Sequence, residues 1–154
     1  FDVAGRSLDD PAWEGASTTL ADEMLAPSVI YAPAVVAALA AHEIHAVAHV
    51  TGGGLPGNLP RVMDNTLDAV VDRSTWEVPR FFCELQNMGD VSDDEMERVF
   101  NMGLGMVLAV PDRDSDAVVA MLASHDRPAR VVGELTAGSG QVRMSGTRQG
   151  GVGS

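Results

Sequence analysis

Apolar residues return at helical spacing between Ser28 and Ala41, where Ile30, Val35, Val36, Leu39 and Ala40 follow one another every few positions. Pro33 stands near the start of that run, where a helix tolerates it, so a helix ending near His42 is expected. Ala46 to Val50 reads as a short strand, Asn58 to Val62 as a brief helical turn interrupted by Pro60, and Leu67 to Val71 as a second strand closed by Asp72. Pro79 and Gly89 bracket a helix through Phe82, Leu85 and Met88, with proline at the entrance and glycine at the exit. Ser92 followed three residues later by Glu95 predicts a capping box for a helix through Met96, Val99 and Phe100.

Gly105 to Val110 is apolar throughout and reads as a buried central strand. Asp112 to Ala123 reads as a helix whose first-turn acids suit the helix dipole. Ala129 to Leu135 and Gln141 to Met144 look like a closing pair of strands joined through Gly138-Ser139-Gly140. Strands separated by helices, with a hairpin at the end, predict an α+β domain with a mixed sheet and helices packed on it. Residues 1–19, rich in acids and turn formers, read as a lead-in, with a short helical pattern around Leu20, Met24 and Leu25. Residues 20–144 read as the domain, and 145–154, with almost nothing apolar, as a flexible tail.

At 154 residues the chain can bury a core without disulfides or metals. Its 22 acids face 10 basic residues, all of them arginine, for a net charge of −12. That balance argues against nucleic acid or an anionic membrane surface as partner, because both require a basic face. Without lysine the chain has neither a P-loop lysine nor a Schiff-base lysine. No apolar run is long enough to predict a membrane span, and the single cysteine, Cys83, suits a reducing compartment, so a cytoplasmic protein is expected. The chain opens at Phe1 without an initiator methionine, which is the expectation for one domain of a longer protein.

The segment with most chemistry is His49-Val50-Thr51-Gly52-Gly53-Gly54, followed by Asn58-Leu59-Pro60-Arg61. Three glycines after a strand make a backbone that bends sharply and approaches something closely, and the nearby arginine and asparagine point to an anion held by N–H groups and a guanidinium. Gly52, Gly54 and Gly57 match the spacing of a dinucleotide fingerprint, but Pro56 and Pro60 leave no room for the long helix which that fold needs. A purely structural tight turn is the alternative. His42, His45 and His49 would share a helix face, yet their surroundings look extended and supply no acid or cysteine to complete a zinc set, so no metal site is expected. Asp112, Asp114 and Asp116 imitate a calcium loop but lack its glycine and its final glutamate. Cys83 reads as packed rather than reactive. Asn101, between Phe100 and Met102 and beside Gly103 and Gly105, marks either a bulge or a second binding loop.

Together these segments resemble the C-terminal domain of the phosphoribosylformylglycinamidine cyclo-ligases, or aminoimidazole ribonucleotide synthetases. The family carries His-x-Thr-Gly-Gly-Gly and then Asn-Ile-Pro-Arg, matched here by His49, Thr51 to Gly54, Asn58, Pro60 and Arg61, with Leu59 in place of isoleucine. Leu20-Ala21-Asp22, Leu25 to Tyr31, Ser74-Thr75-Trp76 with Pro79, and Phe100 to Met106 resemble further family landmarks in the same order. The likeness runs from about Leu20 to about Val142. It implies a layered α/β/α domain, partly ferredoxin-like, and ATP-dependent closure of formylglycinamidine ribonucleotide to aminoimidazole ribonucleotide in purine biosynthesis. ATP and Mg2+ would be bound mainly by an N-terminal ATP-binding domain of the same protein, and the full-length enzyme would be a homodimer. Substrate or phosphate would meet His49, Thr51, Gly52, Gly53, Gly54, Asn58, Arg61, Asn101 and Gly103, with no catalytic residue assigned. The competing reading is a non-catalytic, cleft-closing domain of a related ATP-dependent protein; a kinase-like relative of the same superfamily is disfavoured by the Thr-Gly-Gly-Gly and Asn-Leu-Pro-Arg wording.

Overall fold

A computed structural model describes residues 4–150, so the expectations for 1–3 and 151–154 lie outside the described residues. The class is α+β: six α-helices and five strands, the strands divided between two small sheets among the described residues. After the short helix α1 (Leu20–Met24) come α2 (Ala32–Ala41), strand β1 (Ala46–His49), α3 (Gly54–Asn58) with a 3₁₀ turn over Leu59–Arg61, and β2 (Leu67–Asp72). Then follow α4 (Arg80–Gly89), α5 (Asp93–Val99), β3 (Met106–Ala109), α6 (Ser115–Ser124), β4 (Gly133–Ala137) and β5 (Val142–Ser145).

Strand β1 pairs antiparallel with β3, His49 opposite Met106 and Ala46 opposite Ala109. The continuous apolar run at β3 therefore marks one half of a two-stranded ribbon, with half-buried residues, and not a central strand. A short apolar run reads the same in either setting, because periodicity reports burial and not the number of neighbours. The second sheet has the order β4-β2-β5, with β2 antiparallel to β4 and parallel to β5. The expected terminal hairpin is thus absent: β2 lies between the two strands that the sequence pairs directly. The connection crosses over β2 because Asp68, buried on that strand, takes hydrogen bonds from the Ser139 and Gln141 N–H groups at 2.7 and 2.9 Å and from Arg143 at 2.7 Å. Gly138 makes room for this carboxylate, since a Cβ there would stand 2.1 Å from Asp68 Cγ.

The main core joins both sheets. Ala48 and Val50 from the first, Ala69 and Val71 from the second, and Leu55 and Leu59 between them pack around Trp76. Burying each of these leucines contributes on the order of 2 kcal/mol. A second cluster of Val78, Met96 and Met102 lies under α4 and α5, with Phe82, Cys83 and Phe100 against it. Burial pushes the Cys83 thiol up, as befits a packed residue.

Several ends differ from the pattern. Gly89 is the last helical residue and the left-handed position falls on Asp90, with φ 48°. Ser92 accepts the Glu95 N–H, but the Glu95 carboxylate turns to Arg98, so only half of the expected capping box forms. A complete box stands instead at Thr19 and Asp22, where α1 begins. The lead-in is not merely peripheral, because Ala12 is buried and Arg80 lies 5.0 Å over the Trp13 ring. At the other end, Gln149 bridges to Glu77, and Arg148 bonds to Glu97 at 3.1 Å, so residues 146–150 are packed where a tail without order was expected.

The two N–H groups on Asp68, from Ser139 and then Gln141, hold its carboxyl below the usual aspartate range. A depressed native value contributes stability above the unfolded value near 3.8 and loses it as pH falls through the folded value. D68N should therefore lower the urea midpoint at pH 7, and its stability should decline less steeply than the parent's between pH 4 and lower values; parallel acid titrations of both proteins check this.

Candidate functional site

The glycine segment leaves the core at Val50, whose N–H donates to the Gly105 carbonyl at 2.9 Å. Thr51 and Gly52 are exposed; Gly53 takes φ 99° and Gly54 φ 57°, both in the left-handed region that glycine alone enters without strain. The Gly54 N–H returns to the Thr51 carbonyl at 3.1 Å, and α3 starts there. Gly54 is also required sterically, since a Cβ would stand 1.9 Å from the Glu97 carbonyl oxygen and 2.9 Å from that of Phe100. Gly52, by contrast, has nothing within 4 Å of the place a Cβ would take.

Asn58 is buried, and its amide nitrogen donates to the carbonyls of Gly54 at 2.8 Å, Gly52 at 3.3 Å and Thr51 at 3.4 Å. It staples the loop from inside, so the donors this residue offers are already engaged. The outward groups are different. Neither the Gly52 nor the Gly53 N–H has a protein acceptor among the described residues, and the Thr51 hydroxyl makes no hydrogen bond there. Two adjacent unengaged N–H groups and a hydroxyl on a rigid turn can hold an anion.

Asn101 ties the second loop to the first. Its Nδ2 donates to the Val50 carbonyl at 3.5 Å, and its Oδ1 accepts the Gly103 N–H at 3.0 Å. Gly103, at φ 98°, is needed because a Cβ would press within 2.6 Å of the Pro79 ring. His49, the last residue of β1, is exposed and meets the Tyr31 ring edge-on at 6.2 Å. The structure thus gathers His49, Thr51 to Gly54, Asn58, Asn101 and Gly103 at one end of the β1–β3 ribbon. Arg61, at the end of the 3₁₀ turn, is exposed and has no ion-pair partner among the described residues. Among the described residues no three His, Cys, Asp or Glu side chains converge to hold a metal ion.

Two residues escaped the reading of the sequence. Tyr31, the only tyrosine, wedges against Gly105, where a Cβ would lie 2.1 Å from the phenol oxygen. Glu97 lies behind Gly54, and its carboxylate is clasped by Arg73 at 2.7 and 2.9 Å and by Arg148 at 3.1 Å. Burial alone would raise the Glu97 carboxyl, but the two guanidiniums outweigh it and hold the group below the usual glutamate range. Glu97 resembles its acidic neighbours in the sequence, so nothing but the fold singles it out. A cleft of about 490 Å³ beside this cluster, between α4, α5 and residues 146–150, shares no residue with the glycine loop, and Arg73, Glu97, Arg148 and Asp93 on its walls pair with one another.

A glycine-rich turn whose Gly52 and Gly53 N–H groups have no protein acceptor among the described residues, held from inside by Asn58, sits on a domain of α+β class. A family model described as AIR synthase related protein, C-terminal domain, matches residues 2–145, and the chain belongs to that family. Its relatives include proteins named phosphoribosylformylglycinamidine cyclo-ligase: that of Geotalea daltonii is 41% identical over 135 residues, which is 88% of this chain and 38% of that protein. The Geotalea uraniireducens protein is 40% identical over 147 residues, covering 94% and 42%, and the Bordetella petrii protein 47% over 120, covering 77% and 34%. The chain therefore spans about two fifths of the length of the curated relatives it matches. The family match takes in nearly all of residues 1–19 as well as the domain proper.

The contrast between two neighbouring glycines is measurable. Gly54→Ala should destabilise the chain by about 2–4 kcal/mol, from overpacking against α5 added to a strained φ, whereas Gly52→Ala should cost less than about 1 kcal/mol. Denaturant unfolding of the two variants checks it, and equal effects would contradict the packing described here.

Proposed function

We propose that this chain is the C-terminal domain of a phosphoribosylformylglycinamidine cyclo-ligase, acting in the cytoplasm in purine biosynthesis on formylglycinamidine ribonucleotide. The observation that carries the reading is the naming of its relatives over 88 to 94% of this chain, with the glycine loop in the form that the resemblance requires. In this reading the Gly52 and Gly53 N–H groups and the Thr51 hydroxyl receive a phosphate of the ribonucleotide or of ATP. Asn58 and Gly54 keep those donors fixed, so that no reorganisation is needed on binding. His49 and Asn101 line the same end of the cleft, with Tyr31 setting the imidazole's position. Arg61 supplies attraction over a longer range.

ATP, when bound, supplies the phosphoryl group that turns the formyl oxygen into a leaving group; a nitrogen of the substrate then attacks the formyl carbon and inorganic phosphate departs. The loop's N–H groups fit a phosphate, whereas among the described residues no three His, Cys, Asp or Glu side chains come together to hold Mg2+. ATP and Mg2+ belong mainly to the N-terminal domain, and the full-length protein is a homodimer in this reading.

The full-length protein should convert formylglycinamidine ribonucleotide to aminoimidazole ribonucleotide with release of ADP and phosphate. Thr51→Val should weaken ribonucleotide binding about tenfold, the scale of a charge-assisted hydrogen bond. Arg61→Ala should weaken it by several-fold, with a loss that shrinks as salt rises. Titration of the full-length variants at two ionic strengths measures both. Unchanged affinity in each would leave the loop a structural turn and favour a non-catalytic domain.

A further inference from the structure

Helix α2 has the sequence Ala-Pro-Ala-Val-Val-Ala-Ala-Leu-Ala-Ala, without a polar side chain on any side. Its buried positions are the small ones, Ala34 and Ala38, while the larger Val36 and Leu39 face outward at 63% and 49% exposure. That is the reverse of a surface helix, which keeps its bulk inside and its charge outside; a helix apolar all round is covered on all sides in its finished setting. The stretch leading into it continues the pattern, with Leu25 at 80%, Ile30 at 69%, and Met24 and Val29 each half exposed. From Met24 to Ala41 the sequence contains no Asp, Glu, Lys or Arg, in a chain that carries 32 of them.

We propose that this strip, from Met24 through Leu39, is the surface on which the N-terminal domain of the full-length protein sits. The proposal rests on the reading that this chain is the C-terminal part of a longer enzyme, and its family relatives are indeed more than twice as long as the segment they share with it. The tether favours that occupant over a second copy of the chain. The exposed apolar surface of the six residues is on the order of 600 Å², at the upper end for a monomer's largest patch, which marks it as a covered surface. A covalently joined domain needs less area, because the tether raises its effective concentration. Position favours it too. Tyr31 ends the exposed stretch, caps α2 and touches both His49 and Gly105, so a domain seated on the strip lies beside the glycine loop and can complete the site with groups of its own.

Hydrogen–deuterium exchange on the full-length protein and on this chain alone tests the assignment. Amides of 32–41 should exchange at least tenfold more slowly in the full-length protein. The double substitution V36E/L39E should remove that difference while leaving the thermal midpoint of this chain alone unchanged, since the inward alanines are untouched. Equal exchange in the two wild-type forms would overturn the proposal. So would sedimentation of this chain as a dimer that V36E/L39E converts to monomer, because the strip would then be a self-association surface. Cyclisation measured in parallel keeps the two readings apart: protection without turnover leaves the docking surface standing and sinks the enzyme assignment, and turnover without protection does the opposite.

Discussion

Gly54 has room for a hydrogen atom and nothing larger. Its α-carbon lies against the carbonyl oxygens of Glu97 and Phe100, and that one approach sets the distance between α3 and α5. From it follow the left-handed turn that begins α3 and the placement of Leu55 and Leu59 in the core shared by the two sheets. Phe100 and Asn101 continue from α5 directly into the second loop, so the same contact fixes the distance between the two halves of the candidate site. A larger residue at position 54 would move all of these together, because packed interiors transmit a displacement rather than absorb it.

Behind that contact, buried carboxylates act as fasteners. Glu97 holds Arg73, which follows β2, and Arg148, which follows β5; Asp68 holds the Ser139 to Gln141 turn that carries the chain across β2. In each case one acid closes a connection between segments distant in sequence, and the partners are guanidiniums or backbone N–H groups with fixed directions. A chain whose cations are all arginine suits this arrangement, since the planar fork meets a carboxylate with two hydrogen bonds and loses less freedom than an ammonium on a flexible stem. These pairs specify position more than they add stability, because each must first overcome the removal of its charges from water.

Much of the element order was legible in the sequence, and the reasons for the failures are specific. The strands at Ala46 and Leu67 and the helices opened by Pro79, Ser92 and Asp112 were marked by local patterns, and local patterns survive folding. Pairing was not legible: the run at Met106 to Ala109 could not tell a ribbon from a central strand, and Gly138-Ser139-Gly140 looked like a hairpin turn because the role of Asp68, some seventy positions upstream, leaves no local trace. The same divide runs through the site. His49, the glycines and Asn101 were visible as types that chemistry uses, and they do converge. That Asn58 faces inward and that Tyr31 and Glu97 belong to the neighbourhood are both consequences of packing between distant segments.

The proposed function brings an anion to a turn on a chain of net charge −12, and distance is what reconciles the two. Charges spread over the surface act through water and counter-ions, and at physiological ionic strength their effect fades beyond about 8 Å. An N–H group in hydrogen-bonding contact with a phosphate oxygen acts at about 3 Å, where solvent does not intervene and the donor's direction is fixed. Glu97, whose backbone lies against Gly54, has its side chain paired with two arginines. A small anion bound as proposed would meet the Gly52 and Gly53 N–H groups, which have no protein acceptor among the described residues.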